Sequence, residues 1–76
     1  MCNILEINIK HCTTDLVQKM RIFGRGLGFI DYYHGWDRLV FEQWSDNITR
    51  YSNLIDGLEK LCKENNMEWD DLLDLD

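Results

Sequence analysis

No apolar run in this chain approaches the roughly 18 residues that a helix needs to cross a bilayer, so membrane insertion is not expected. No low-complexity tract, internal repeat or linker interrupts it, and residues 1–76 are expected to form a single domain. The three cysteines, Cys2, Cys12 and Cys62, lack the paired spacing of a disulfide framework or a zinc site. No apolar leader ends in a small-residue cleavage site, and a reducing, cytoplasmic setting is the expectation. No catalytic signature is present either. His11 and Cys12 are neighbours in sequence, and at a strand end their side chains would point to opposite faces, which denies them a nucleophile and base pairing. Neither a cofactor nor enzymatic activity is expected.

What remains is a folding composition. Apolar residues make up 45% of the 76, with three each of Trp, Tyr and Phe. A chain this short buries only about 60 to 65% of the surface it exposes when unfolded. Ordering it costs about 1.5 kcal/mol per residue, which small scaffolds offset narrowly. Complex formation, including a homodimer, is therefore a reasonable expectation.

The net charge of −6 is unevenly placed. Up to Ile55 the six acids Glu6, Asp15, Asp31, Asp37, Glu42 and Asp46 are matched by the six bases Lys10, Lys19, Arg21, Arg25, Arg38 and Arg50. From Asp56 onward, eight acids face only Lys60 and Lys63. The whole excess belongs to the C-terminal quarter.

Leu5, Ile7 and Ile9 alternate with Glu6, Asn8 and Lys10, which predicts a strand at about residues 3 to 10 with one face buried. Thr13 or Thr14 is placed to cap a helix carrying Leu16, Val17, Met20, Phe23 and Leu27, ending among Gly24, Gly26 and Gly28. Phe29 to His34 and Leu39 to Trp44 flank Gly35-Trp36-Asp37 and read as a hairpin. Ser45 or Asp46 is the expected cap of a second helix with Ile48, Tyr51, Ile55, Leu58 and Cys62 on its apolar stripe, widened by Leu54 and Leu61. Asn65 with Glu68 resembles a capping box for a short last helix through Trp69, Leu72 and Leu73. The predicted class is α+β: a small three-stranded sheet, antiparallel or mixed, with helices on one face, in the order β-α-β-β-α-α.

The segment from Met67 to Asp76 interleaves five acids with Met67, Trp69, Leu72, Leu73 and Leu75. Such a pattern offers anchors for a hydrophobic groove and a field that speeds approach to a basic protein. It also suits a packed amphipathic helix with a solvated acidic face. Leu75 and the final aspartates lie too near the terminus to be held firmly, which favours binding. The expected partner-binding residues are Glu64, Glu68, Trp69, Asp70, Asp71, Leu72 and Asp74. Closely spaced carboxylates can also imitate a nucleic-acid backbone, since duplex DNA carries one negative charge per about 1.7 Å of axis. In size, acidity and lack of a catalytic motif the chain resembles small phage-encoded inhibitors of bacterial defence nucleases. That resemblance implies a non-enzymatic inhibitor of a basic nucleic-acid-handling protein. Direct binding to nucleic acid is not expected, because phosphate affinity rests on clustered Lys and Arg.

Other patterns point elsewhere. Leu72-Leu73-Asp74-Leu75-Asp76 resembles the clathrin-box peptide of endocytic adaptors, which implies recruitment of a groove-bearing partner. Lys19, Arg21 and Arg25 with Gly24, Gly26 and Gly28 offer a basic, glycine-rich anion site, although these glycines face the negative end of a helix. Leu16 to Tyr33, with Leu27-Gly28-Phe29 joining helix to strand, resembles half a module of the glyoxalase and bleomycin-resistance superfamily, in which paired modules enclose a metal or ligand. It covers less than a third of the chain and transfers no site residue. His11, His34 and a cysteine would serve a small metal- or cysteine-dependent enzyme if folding gathered them. Cys62, on the apolar stripe, reads as core. Trp36, Trp44, Tyr32, Tyr33 and Tyr51 are expected to complete the core, the alternative being an exposed sheet face that binds a partner or a second copy.

Overall fold

Alternation along two strands decides the architecture. A computed structural model describes residues 2–75. Its elements are β1 (Cys2–Asn8), α1 (Thr14–Gly26), β2 (Ile30–Tyr33), β3 (Arg38–Trp44), α2 (Ile48–Glu64) and α3 (Trp69–Leu72). The order is β-α-β-β-α-α, an α+β fold. The three strands are antiparallel throughout, in the order β1-β3-β2, so β3 pairs with both neighbours. Register sets Leu5 opposite Phe41 and Ile7 opposite Leu39. These four side chains share the face covered by Leu16, Val17 and Met20 of α1 and by Leu54, Leu58 and Cys62 of α2, and all ten belong to one buried cluster. Burying each large side chain contributes about 1.5–3 kcal/mol.

Local chemistry sets the element ends. β1 stops at Asn8, two residues short of the expectation, because the Lys10 amide donates to Asn8 Oδ1 at 2.9 Å and the Ile9 amide turns to the Asp37 carbonyl. Thr13 is the cap of α1, its hydroxyl accepting from the Leu16 amide at 3.1 Å. α1 closes in a Schellman motif: the Gly28 amide donates to the Arg25 carbonyl and the Phe29 amide to the Gly24 carbonyl, both at 3.0 Å. Gly28 takes φ +88°, and a Cβ there would lie 2.9 Å from Gln43 Nε2, so both backbone and space demand glycine. Gln43 ends the buried face of β3 and donates to the Leu27 carbonyl at 3.1 Å.

Ser45 and Asp46 do not cap α2. Asn47 does, accepting from the Arg50 amide at 3.2 Å, while the Ser45 hydroxyl accepts from the Asn47 amide. β3 runs through Trp44 and the Ser45 carbonyl is held by the Asn3 side chain, which delays the helix start. The buried line of α2 is accordingly Leu54, Leu58 and Cys62. Tyr51, Ile55 and Leu61 flank it, whereas Ile48 is 75% exposed. The expected place of the aromatic residues in the core is also corrected. Tyr32, Tyr33, Trp36 and Trp44 are exposed and Tyr51 is half-buried. Tyr32 and Trp44 fall on the face opposite the helices, Tyr33 on the edge strand, and Trp36 in the turn.

The basic, glycine-rich segment of α1 is engaged from within. Arg21 Nε and Arg25 Nε both lie 2.6 Å from the Asp31 carboxylate on β2, whose side chain is only 2% exposed. Arg21 also stacks over the Tyr33 ring, 5.3 Å from its centroid. Residues four apart on a helix share a face, so both guanidinium groups reach one acid. Burial acts to raise the Asp31 pKa, but hydrogen bonds from Arg25 and Arg21, with their charges, outweigh it and hold the carboxyl below its ordinary range. A lowered folded-state value means that pairing stabilises the fold above the unfolded pKa of about 3.9 and that this contribution disappears as pH falls through the folded value. Asp31→Asn should lose at least about 1 kcal/mol at neutral pH. Urea unfolding at stepped pH should then show a shallower acid decline for the variant than for the wild type; parallel curves would contradict the clamp.

Gly24 and Gly26 differ sharply although two residues apart. A Cβ on Gly24 would sit 2.5 Å from the Phe41 ring, whereas one on Gly26 meets nothing within 4 Å. Gly24→Ala should therefore destabilise by about 1–3 kcal/mol through overpacking. Gly26→Ala should stabilise by about 0.4–1 kcal/mol through the unfolded chain. Thermal and urea unfolding of the two variants checks the opposite signs.

Candidate protein-binding surface

α2 ends as α1 does. Asn66 occupies the left-handed position at φ 58°, the Met67 amide donates to the Cys62 carbonyl at 2.8 Å, and the Asn66 amide donates to the Lys63 carbonyl at 3.4 Å. Asn65 is thus the C-cap of α2 and not the start of a capping box; its side chain donates to the Leu61 carbonyl at 2.7 Å. Glu68 takes the N-cap place of α3 with no side-chain hydrogen bond, and α3 is a single turn. An isolated turn of this length has no stability of its own. Leu72 supplies it, being 1% exposed within the core cluster, with Met67 and Trp69 half-buried against the same cluster.

Glu59, Lys63, Met67, Glu68, Trp69 and Asp70 line a hollow of about 290 Å³ at the junction of α2 and α3. Its lining combines the Met67 thioether and the Trp69 indole with three acids and one base. Of the expected site residues, Glu68, Trp69 and Asp70 meet here. Glu64 borders a different groove, between α1 and α2, with Phe23 and Leu61. Asp71 and Asp74 are exposed beyond the hollow. Leu72 faces the core, so in this fold it anchors the platform and offers no side chain to a partner. Glu59 joins the rim because it lies on α2 next to the hollow, a position that the charge pattern of the last ten residues does not reveal. Glu64, Glu68, Asp70 and Asp71 are all exposed and enter none of the ion pairs formed among the described residues.

The end of the chain is tied back to the sheet. Asn8 Nδ2 donates to the Asp74 carbonyl at 2.9 Å, and Arg38 Nη2 donates to the Leu75 carbonyl. The expectation that Leu75 is loosely held is corrected for its backbone by these two bonds; Asp76 lies outside the described residues. In the clathrin-box-like segment, Leu72 is sealed while Leu73 and Leu75 keep exposed surface.

The remaining candidates are dispersed. Among the described residues no group of three His, Cys, Asp or Glu is gathered as metal ligands require. His34 lies beside Glu6, with Nδ1 3.3 Å from the carboxylate, and His11 is exposed. Burial pushes the Cys12 thiol up and drives Cys62 to about 11, aided there by the charges of Cys12 and Glu59. Neither thiol is a ready nucleophile at neutral pH. No helix among the described residues is long and apolar enough to cross a membrane.

Leu72 and Leu73 separate anchoring from display. Leu72→Ala should cost about 2–5 kcal/mol, and Leu73→Ala should remain within about 0.5 kcal/mol of wild type. Equal losses in urea unfolding would contradict the docking of α3 through Leu72.

No family model, no curated protein and no solved structure matches this chain.

Proposed function

We propose that this chain is a non-enzymatic protein-binding domain that docks a basic surface of another protein on the acidic hollow between α2 and α3. Glu68 and Asp70, with Glu59, receive the cationic groups, and Trp69 and Met67 receive the apolar atoms beside them. Asp71, Glu64 and Asp74 extend the negative field that steers the encounter. One observation carries the reading. Among the described residues the exposed carboxylates of Glu59, Glu68 and Asp70 enter no ion pair, and they share one hollow with Met67 and Trp69 on a turn that the buried Leu72 fixes to the core.

Carboxylates held on a fixed platform match the fixed charges of a phosphate backbone better than a flexible tail does, because the backbone that carries them is ordered before binding. This supports the narrower proposal of an acidic, nucleic-acid-mimicking inhibitor of a nucleic-acid-handling protein, of the phage anti-defence kind. The setting proposed for it is a reducing cytoplasm, consistent with three free thiols, of which Cys62 is sealed in the core. The net charge of −6 opposes direct contact with nucleic acid.

The test begins with the protein that wild type captures from an extract, purified and titrated directly. Glu68→Lys with Asp70→Lys should weaken its affinity at least about tenfold, and the wild-type affinity should fall as salt rises. Duplex DNA should compete with the domain for that partner. Unchanged affinity of the double variant would remove the proposal, and failure of DNA to compete would remove the nucleic-acid-mimic part alone.

A further inference from the structure

The sheet face turned away from the helices carries a second arrangement, independent of the acidic hollow. Glu42 stands at its centre on the middle strand. Register places Ile4 of β1 on one side of it and Ile30 of β2 on the other. Val40 and Trp44, two residues before and after, share its face. Tyr32, next to Ile30 on that face, donates its hydroxyl to Glu42 Oε1 at 3.2 Å. Val40 is buried, but Ile4 is 51% exposed, Ile30 59% and Trp44 80%. Glu42 enters none of the ion pairs among the described residues, and Arg38, the base on the same face of β3, is committed to Glu6 at 3.3 Å.

A carboxylate flanked by exposed apolar side chains restricts what can cover it. An entirely apolar partner would strip Glu42 of water and leave a buried charge uncompensated. A second copy related by a two-fold axis near β3 would bring Glu42 against its own counterpart, like charge on like charge. A nucleic acid would meet carboxylate with phosphate. Charge complementarity favours a partner presenting a cation flanked by apolar residues. The exposed indole beside the carboxylate favours arginine over lysine, because a planar guanidinium stacks on an aromatic face while its N–H groups pair with a carboxylate.

We propose that the open face of the sheet binds an arginine side chain of a partner protein, the guanidinium pairing with Glu42 and stacking on Trp44 while Ile4 and Ile30 take the apolar residues beside it. The Tyr32 hydroxyl holds the carboxylate in place through its hydrogen bond to Glu42 Oε1. The surface is formed by rigid strands, so the arginine meets a preorganised site.

The probe is the blocked tripeptide acetyl-Leu-Arg-Leu-amide, titrated into the whole 15N-labelled chain, with acetyl-Leu-Gln-Leu-amide as control. The Trp44 indole N–H and the Ile4, Ile30 and Glu42 amides should shift saturably with the arginine peptide. Glu42→Gln and Trp44→Ala, both at exposed or half-exposed positions of the sheet, should each weaken that response roughly fivefold. Glu68→Lys with Asp70→Lys should leave it intact, which separates this site from the acidic hollow. Equal shifts with the glutamine peptide, no shift at Trp44, or a response unchanged by Glu42→Gln would overturn the proposal. Movement of the same resonances on dilution without peptide would assign the face to a second copy and overturn it as well.

Discussion

The close seating of α1 on the central strand, with the Phe41 ring lying where a side chain on Gly24 would be, is the contact on which the rest of the structure depends. A helix carries no Cβ at glycine, so α1 can approach the sheet at that point and bring Leu16, Val17 and Met20 into the same cluster as Leu39 and Phe41. α2 completes that layer with Leu54, Leu58 and Cys62. With α1 and α2 on one side, the opposite face of the sheet keeps Ile4, Ile30 and Trp44 exposed. The same layer buries Leu72, which fixes the short α3 and the acids around it. Both candidate surfaces therefore follow from one packing arrangement.

Polar chemistry closes what apolar packing leaves unfinished. Two Schellman motifs end the long helices, one using Gly28 and the other Asn66 at the left-handed position, and each satisfies carbonyls that a helix end would otherwise orphan. Asp31 fastens the edge strand β2 to α1 through two arginines four residues apart. Gln43, nearly buried, spends its amide on the Leu27 carbonyl at the mouth of the first motif. The arginines are thereby occupied, and the cationic segment serves the fold.

Much of this was readable from residue order because period and punctuation agree over long stretches. Strand alternation from Leu5 to Ile9, the four-three spacing of α1, the Thr13 cap and the placement of Leu27 just past the helix all follow local rules. Three features escaped, one because two local motifs compete at the same residues and two because they depend on how separate elements pack. Asn65 and Asn66 carry equal local preference for starting a helix and for ending one, and the Schellman closure of α2 decides between them. The aromatic residues of β2 and β3 look like core until register assigns the odd positions of β3 to the helices. Asp31 shows no local sign of its role, although Arg21 and Arg25 on one helix face ahead of an acid in the next strand were a usable clue. In the acidic region the pattern found Glu68, Trp69 and Asp70, and it grouped Leu72 with them because one turn of helix cannot be assigned a buried face without knowing what lies beneath it.

Acids on a fixed surface and acids on a loose tail have the same composition but different binding physics, since only the first are ordered before a partner arrives. The distinction is a matter of backbone motion at α3. Nitrogen-15 relaxation of the Asp70, Asp71 and Leu73 amides measures it directly. Order parameters near about 0.85, equal to those within α2, are the result that a core-anchored platform requires, and values below about 0.6 would show a flexible tail and contradict it.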